Sequence, residues 1–230
     1  MKTSNKLLIA LVLIAVAYSI ANAFALKAEY LKGDFKSRFF GMNKVSLAGF
    51  DAVDNNVANA LDVTVEYGNE YAVWIDKKAI GDVTFSKKNK TLSIDFKRDD
   101  VPAYRNRILI ICPGLSLLKS GYKSLMGKDG GAITTVRGFT QDSLLVRINN
   151  ATQLRLDSNN LKKLDAHINA GELTLTKTNK VSIGDFNVQS DPYNHLTIED
   201  AEIEKANYNF AGDAKISLTG RSLKLLTAKQ

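Results

Sequence analysis

The sequence has one cysteine, three prolines and one tryptophan in 230 residues, and beyond its N-terminal run it carries no helical hydrophobic period of useful length. A single cysteine excludes an intramolecular disulfide. Cys112 sits in the apolar run Ile108-Leu109-Ile110-Ile111-Cys112, where a buried small hydrophobe is expected rather than a reactive thiol. Pro102, Pro113 and Pro192 all fall outside alternating segments, so no strand ladder is interrupted. Catalytic and cofactor motifs are also missing. The segment Gly127 to Gly131 lacks the Lys-Ser/Thr of a phosphate loop and opens no helix. Asp157-Ser158-Asn159-Asn160 begins like a calcium loop, but Leu161 and Ile168 stand where oxygen ligands are needed. No cofactor, metal or catalytic residue is expected from these patterns.

What is present begins with an address. Lys2 and Lys6 precede an apolar run from Leu7 to Leu26, broken only by Tyr18, Ser19 and Asn22 and closed by Lys27. This reads as an export segment over residues 1–26. Ala21-Asn22-Ala23 fits a small-x-small cleavage site of a signal peptide, and the run is equally long enough to remain as a single-span anchor. Under both readings the first lysines stay cytoplasmic and everything after Lys27 is translocated. No cysteine follows the run, which excludes a lipoprotein anchor.

Residues 27–43 then read as a linker or N-terminal cap, and residues 44–230 as one domain. The formal charge of +7, from 31 basic and 24 acidic residues, falls to +5 when the leader leaves with Lys2 and Lys6. In an exported protein this excess points to acidic glycans or polymers, anionic headgroups or envelope proteins, and not to nucleic acid.

The second half repeats. Val146, Ala166, Phe186 and Tyr208 recur at spacings of 20, 20 and 22, and Leu156, Leu175, Ile198 and Leu218 at 19, 23 and 20. Periods in this range mark a solenoid whose units stack to share one core. Strands such as Leu61–Tyr67 and Thr91–Phe96 alternate with period two, and the step from Val65 to Phe85 is again 20, which extends the repeat into the first half. The expected fold is all-β: a right-handed parallel β-helix with coils of about 20 residues, its two halves joined by a long loop over Lys119 to Gly131. A β-sandwich, the competing fold, would show turn signals every 8 to 12 residues without matching columns.

At this point the residues resemble a known family, the GIN domain, an adhesin-head domain of exported Bacteroidetes proteins. The likeness lies in Gly49-Phe50-Asp51-Ala52-Val53, in Ala60 to Gly68 (ALDVTVEYG), and in Tyr71-Ala72-Val73-Trp74-Ile75. It continues in Thr91-Leu92-Ser93-Ile94, Ile110 to Leu115 (IICPGL) and Ala170 to Leu175 (AGELTL), and spans about Val45 to Leu225. Where the family has more glycine in its second-half turns, this chain uses asparagine. Asp54-Asn55-Asn56-Val57 replaces a small-residue stretch. The resemblance implies an envelope or surface β-solenoid, an adhesin role, and no catalytic residues.

Alternation in Leu164, Ala166 and Ile168 places Asp165, His167 and Asn169 on one outer face, next to Lys162 and Lys163. These five residues form the expected binding face. His195 reads as a turn residue, and the acidic set Glu199, Asp200, Glu202 and Glu204 as a solvated strand or turn. The leading function is a non-enzymatic binding module for a glycan, polymer or protein. A glycan-cleaving enzyme using carboxylates such as Asp157, Asp165 and Asp185 is the alternative, and a structural spacer is a third.

Overall fold

The computed structural model describes residues 3–33, 36–98, 106–122, 131–150, 152–176 and 181–226. It opens with the helix α1 (Thr3–Lys32), which presents large apolar side chains on every side. By length and composition Lys6–Lys32 is long and apolar enough to cross a membrane. The chain divides into two compact units, Met1–Gly41 and Met42–Gln230.

The second unit is a two-sheet β-solenoid. Its strands are β1 (Met42–Val45), β2 (Ala52–Asn55), β3 (Leu61–Tyr67), β4 (Ala72–Asp76), β5 (Val83–Lys88), β6 (Thr91–Phe96), β7 (Asn106–Cys112) and β8 (Leu117–Ser120). They continue through β9 (Ile133–Arg137), β10 (Thr140–Ile148), β11 (Thr152–Asp157), β12 (Asn160–Ile168), β13 (Gly171–Leu175), β14 (Ser182–Ser190), β15 (His195–Glu199), β16 (Glu202–Phe210) and β17 (Lys215–Thr219). A 3-10 helix, Gly220–Leu226, follows. Sheet A runs β1-β4-β7-β3-β9-β11-β13-β15-β17 and sheet B β16-β14-β12-β10-β8-β2-β6-β5. From β8 onward the strands alternate between the sheets, and each pairs in parallel with its counterpart one coil on. Among the described residues, the core cluster and the apolar residues packed on it come from Val45 onward.

One expected column is present and the other is displaced. Leu156, Leu175, Ile198 and Leu218 stand in register in sheet A. In sheet B, Val146 meets Ala166, but Ala166 meets Val188, and Phe186 stands beside Leu164; Tyr208 follows Val188. The cause is an insertion. At the corner that leads from sheet A to sheet B, residues 138–139, 158–159 and 200–201 make two-residue turns, whereas five residues, 177–181, follow Thr176, which stands level with Asp157.

Each short corner has the same physics: the first residue takes a left-handed backbone (Gly138, φ 79°; Ser158, φ 57°; Asp200, φ 55°) and the second, Phe139, Asn159 or Ala201, is buried. Buried Asn159 accepts from the Phe139 amide at 3.0 Å and donates to the Val136 carbonyl at 2.9 Å, closing two coils at once.

The first half departs from a simple repeat. Val65 lies in sheet A and Phe85 in sheet B, so their spacing of 20 marks no coil. The rung built from β2 and β3 lies in the middle of the stack, with β6 and β7 on one side and β8 and β9 on the other. Antiparallel pairs occur at β1 with β4, β4 with β7, and β5 with β6. The last of these follows from chain length: only Asn89 and Lys90 join β5 to β6, and two residues close a hairpin but cannot make a parallel crossover.

Where the two arms meet, the core turns polar. Asn55 donates to Thr134 Oγ1 at 2.9 Å, Ser120 and Thr134 share a 2.9 Å hydrogen bond, and Thr152 donates to the Ser120 carbonyl, all of them buried. The expected loop is shorter than Lys119–Gly131, since Lys119 and Ser120 belong to β8; residues 123–130 lie outside the described residues.

Candidate functional site

The five residues of the expected face all lie on β12 or directly after it. Leu161, Leu164, Ala166 and Ile168 are buried, while Lys162 and Lys163 are exposed and Asp165 and His167 half-buried on the outer side. The two adjacent lysines face outward together because the ladder breaks between them. Gln141 pairs with Leu161 and Ser143 with Lys163, and the intervening Asp142 and Lys162 drop out. The break recurs at Gly184 and Glu204, forming a bend stacked through four strands. A Cβ on Gly184 would lie 2.6 Å from the Lys162 carbonyl oxygen, so the bend requires glycine there.

Polar side chains link coil to coil across this face. Asn187 Nδ2 donates to Asp165 Oδ1 at 2.9 Å and Asn207 Nδ2 to Asn187 Oδ1 at 2.7 Å, and Asn169 Nδ2 donates to Asn149 Oδ1 at 2.6 Å. Lys163 Nζ lies 2.9 Å from Asp165 and Lys162 Nζ 2.6 Å from Asp142. Burial pushes the Asp165 carboxyl up, but hydrogen bonds from Lys163 and Asn187 and the charges of Lys163 and His167 outweigh it and hold it below the usual carboxylate range. The hydrogen bond to Asp142 and its charge push the exposed Lys162 ammonium above the ordinary lysine range.

Register adds residues that the alternation pattern alone does not find. Lys119, Arg147 and His167 form one outer column, continued by Gln189 and Asn209, and Lys163, Asp185 and Lys205 form another of alternating charge. Two shallow depressions flank the second column. One, about 270 Å³, is lined by Asp165, His167, Asn187, Gln189, Asn207 and Asn209, and the other, about 280 Å³, by Lys162, Ser182, Gly184, Asp185 and Glu204 among others. A larger depression, about 1140 Å³, lies elsewhere, at the C-terminal end of the stack.

The other candidates are dispersed. Asp157 belongs to sheet A, whereas Asp165 and Asp185 belong to sheet B, where Asp185 stands in register between Lys163 and Lys205; the three carboxylates share no groove. His195 begins strand β15 instead of lying in a turn, in register with Glu172 and Lys215. Asp200 accepts from the Arg221 amide at 2.8 Å and its Nε at 3.1 Å, and Glu202 lies 3.8 Å from the same guanidinium. Among the described residues no three His, Cys, Asp or Glu side chains are grouped to hold a metal. Cys112 is buried, and that burial pushes its thiol up to about 12, which leaves it unreactive.

Comparison with protein-family models and with curated proteins gave no match. Solved structures do match. A structure described as a "putative adhesin" from Parabacteroides distasonis ATCC 8503 superposes with a TM-score of 0.61 at 16% identity, over 77% of this chain and 73% of that one. A second of the same description, from Bacteroides fragilis NCTC 9343, gives a TM-score of 0.46 at 12% identity, over 77% and 96%. At 16% identity the first likeness is one of fold alone.

Proposed function

We propose that this protein is a non-enzymatic binding module of the GIN-like kind, exported and held at the cell envelope, whose outer sheet B face engages an extended acidic polymer such as a surface glycan. The observation that carries this reading is the register of polar side chains on neighbouring strands. Asp165, Asn187 and Asn207 form one hydrogen-bonded ladder, with the basic column Lys119, Arg147 and His167 beside it. Strands in a sheet repeat about every 4.8 Å, so the face offers similar groups at a regular interval to a ligand that is itself repetitive. Each contact is weak and their number supplies the affinity.

The adhesin description of the structurally similar protein supports the same reading. The apolar helix α1 supports export, with its end either cut near Ala23 or retained as a membrane span; N-terminal sequencing of the mature protein separates these. The binding test replaces Lys162, Lys163 and His167 by alanine and measures retention of acidic polysaccharide on the immobilised protein. Retention falls in the triple variant and falls for the native protein as salt rises. Unchanged retention removes this face from consideration, and conversion of the polysaccharide to shorter products would give the enzymatic reading instead.

A further inference from the structure

The two ends of the solenoid are built differently. At one end the edge strands are β5, which carries Lys87 and Lys88, and β1, which has four residues including Lys44. Short edges and edge lysines are how proteins prevent strand-to-strand association. At the other end the last strands are β16 and β17, nine and five residues long, and among the described residues nothing pairs with their outer edges. From Ala206 to Phe210 the β16 edge has no charge and no proline.

The core is also open at this end. Ile183, Phe186 and Val188 of β14 are buried, whereas their neighbours Ile203, Ala206 and Tyr208 on β16 are only half-buried. The 3-10 helix Gly220–Leu226 follows the path of a further coil for a few residues, with Ser222 Oγ accepting from the Ala201 amide at 3.0 Å. Beyond that it leaves a cavity of about 1140 Å³ lined by Tyr208, Ile216, Leu218, Leu223, Leu225 and Leu226 among others. Ile216, Leu223 and Leu226 are 38%, 49% and 72% exposed.

We propose that this end is a homodimer interface, closed by the same end of a second copy about a two-fold axis through Tyr208 of β16. β17 is itself short and carries Lys215, so the uncharged Ala206–Phe210 stretch of β16 is the edge that distinguishes this end; Lys87 and Lys88 on the β5 edge disfavour its head-to-tail pairing and leave the self-complementary one. Antiparallel pairing about Tyr208 sets outward Asn207 against outward Asn209, and inward Ala206, which is small, against inward Phe210, which is large. It leaves Glu202 and Glu204 beyond the paired stretch. Two sheets about 10 Å apart with their outer side chains, crossed by strands about 30 Å long, give an end face of roughly 600 Å² per copy, or about 1,200 Å² in total, the lower bound of a stable specific interface.

The solenoid supplies its own core, so residues Met42–Gln230 serve for the test alongside the full chain in detergent. Sedimentation equilibrium of the native protein gives twice the chain mass. Leu226→Asp and Asn209→Lys, both at exposed positions that the monomer tolerates, raise the dissociation constant at least about tenfold with unchanged circular dichroism and melting of the monomer. A monomer at about 100 µM overturns the proposal, as does a dimer indifferent to both substitutions, or a monomer whose native mass spectrum shows a lipid in the cavity.

Discussion

Leu175 illustrates how much one side chain carries in a stacked core. It sits between Leu156 and Ile198 with no exposed surface, and an unpaired charge there has no partner and no water. Leu175→Asp is expected to cost about 3–5 kcal/mol, read from denaturant unfolding. Asn194 works through the backbone instead: it accepts from the Gly171 amide at 2.9 Å and donates to the Ile168 and Asp191 carbonyls. Asn194→Ala strands those groups and should cost about 1–3 kcal/mol.

Asp165 gives a pH dependence whose sign is fixed. Its folded-state pKa lies below the unfolded value, so its contribution is present above the unfolded pKa and is lost as pH falls through the folded one. Melting temperatures should therefore drop in acid, and Asp165→Asn should flatten that part of the curve. A variant that melts with the same acid slope as the native protein contradicts the assignment. The outward placement of Asp165 and His167 was legible from alternation within one strand. Arg147, Asn187 and Asn207 were not, because their membership depends on register between strands.

At the scale of elements, the corners decide what the sequence reveals. Two-residue turns with a left-handed first residue keep coils near 20 residues, and the sheet A column is therefore visible in the sequence. Residues 177–181 add three residues, which after the 19-residue step from Leu156 to Leu175 shift β14 by two positions against the expected column, a slip that spacing alone places one coil late. The insertion should be dispensable. Deleting Lys177–Asn179 and changing Lys180→Gly, which supplies the left-handed residue before buried Val181, recreates a two-residue corner and should shift the melting temperature by only about 2–4 °C or less. Loss of the β circular dichroism signal in that deletion would show that the longer corner holds the coil together.

At the scale of the whole molecule, chain order and spatial order differ. The middle rung of β2 and β3 takes its neighbours from strands 39 and 65 residues further along, at Thr91 and Leu117 for Ala52. No fixed period encodes such contacts, which is why the 20-residue step from Val65 to Phe85, read as an extension of the repeat, marks no coil. The expected consequence is a gradient of stability: this rung has coils on both sides and β17 on only one. Amide exchange should be slowest in β3 and β9 and fastest in β16 and β17, and equal protection from end to end would contradict the stacked description.

The central claim is that a register of side chains, and not a single pocket, binds the ligand. It is tested most directly by titrating the protein with acidic oligosaccharides of increasing length. The affinity should rise steadily until the oligomer spans the four strands β10, β12, β14 and β16, a reach of about 14 Å at the strand spacing, and then level off, with the rise lost in the Lys162, Lys163 and His167 triple variant. An affinity independent of oligomer length, or a rise that the triple variant retains in full, would contradict it.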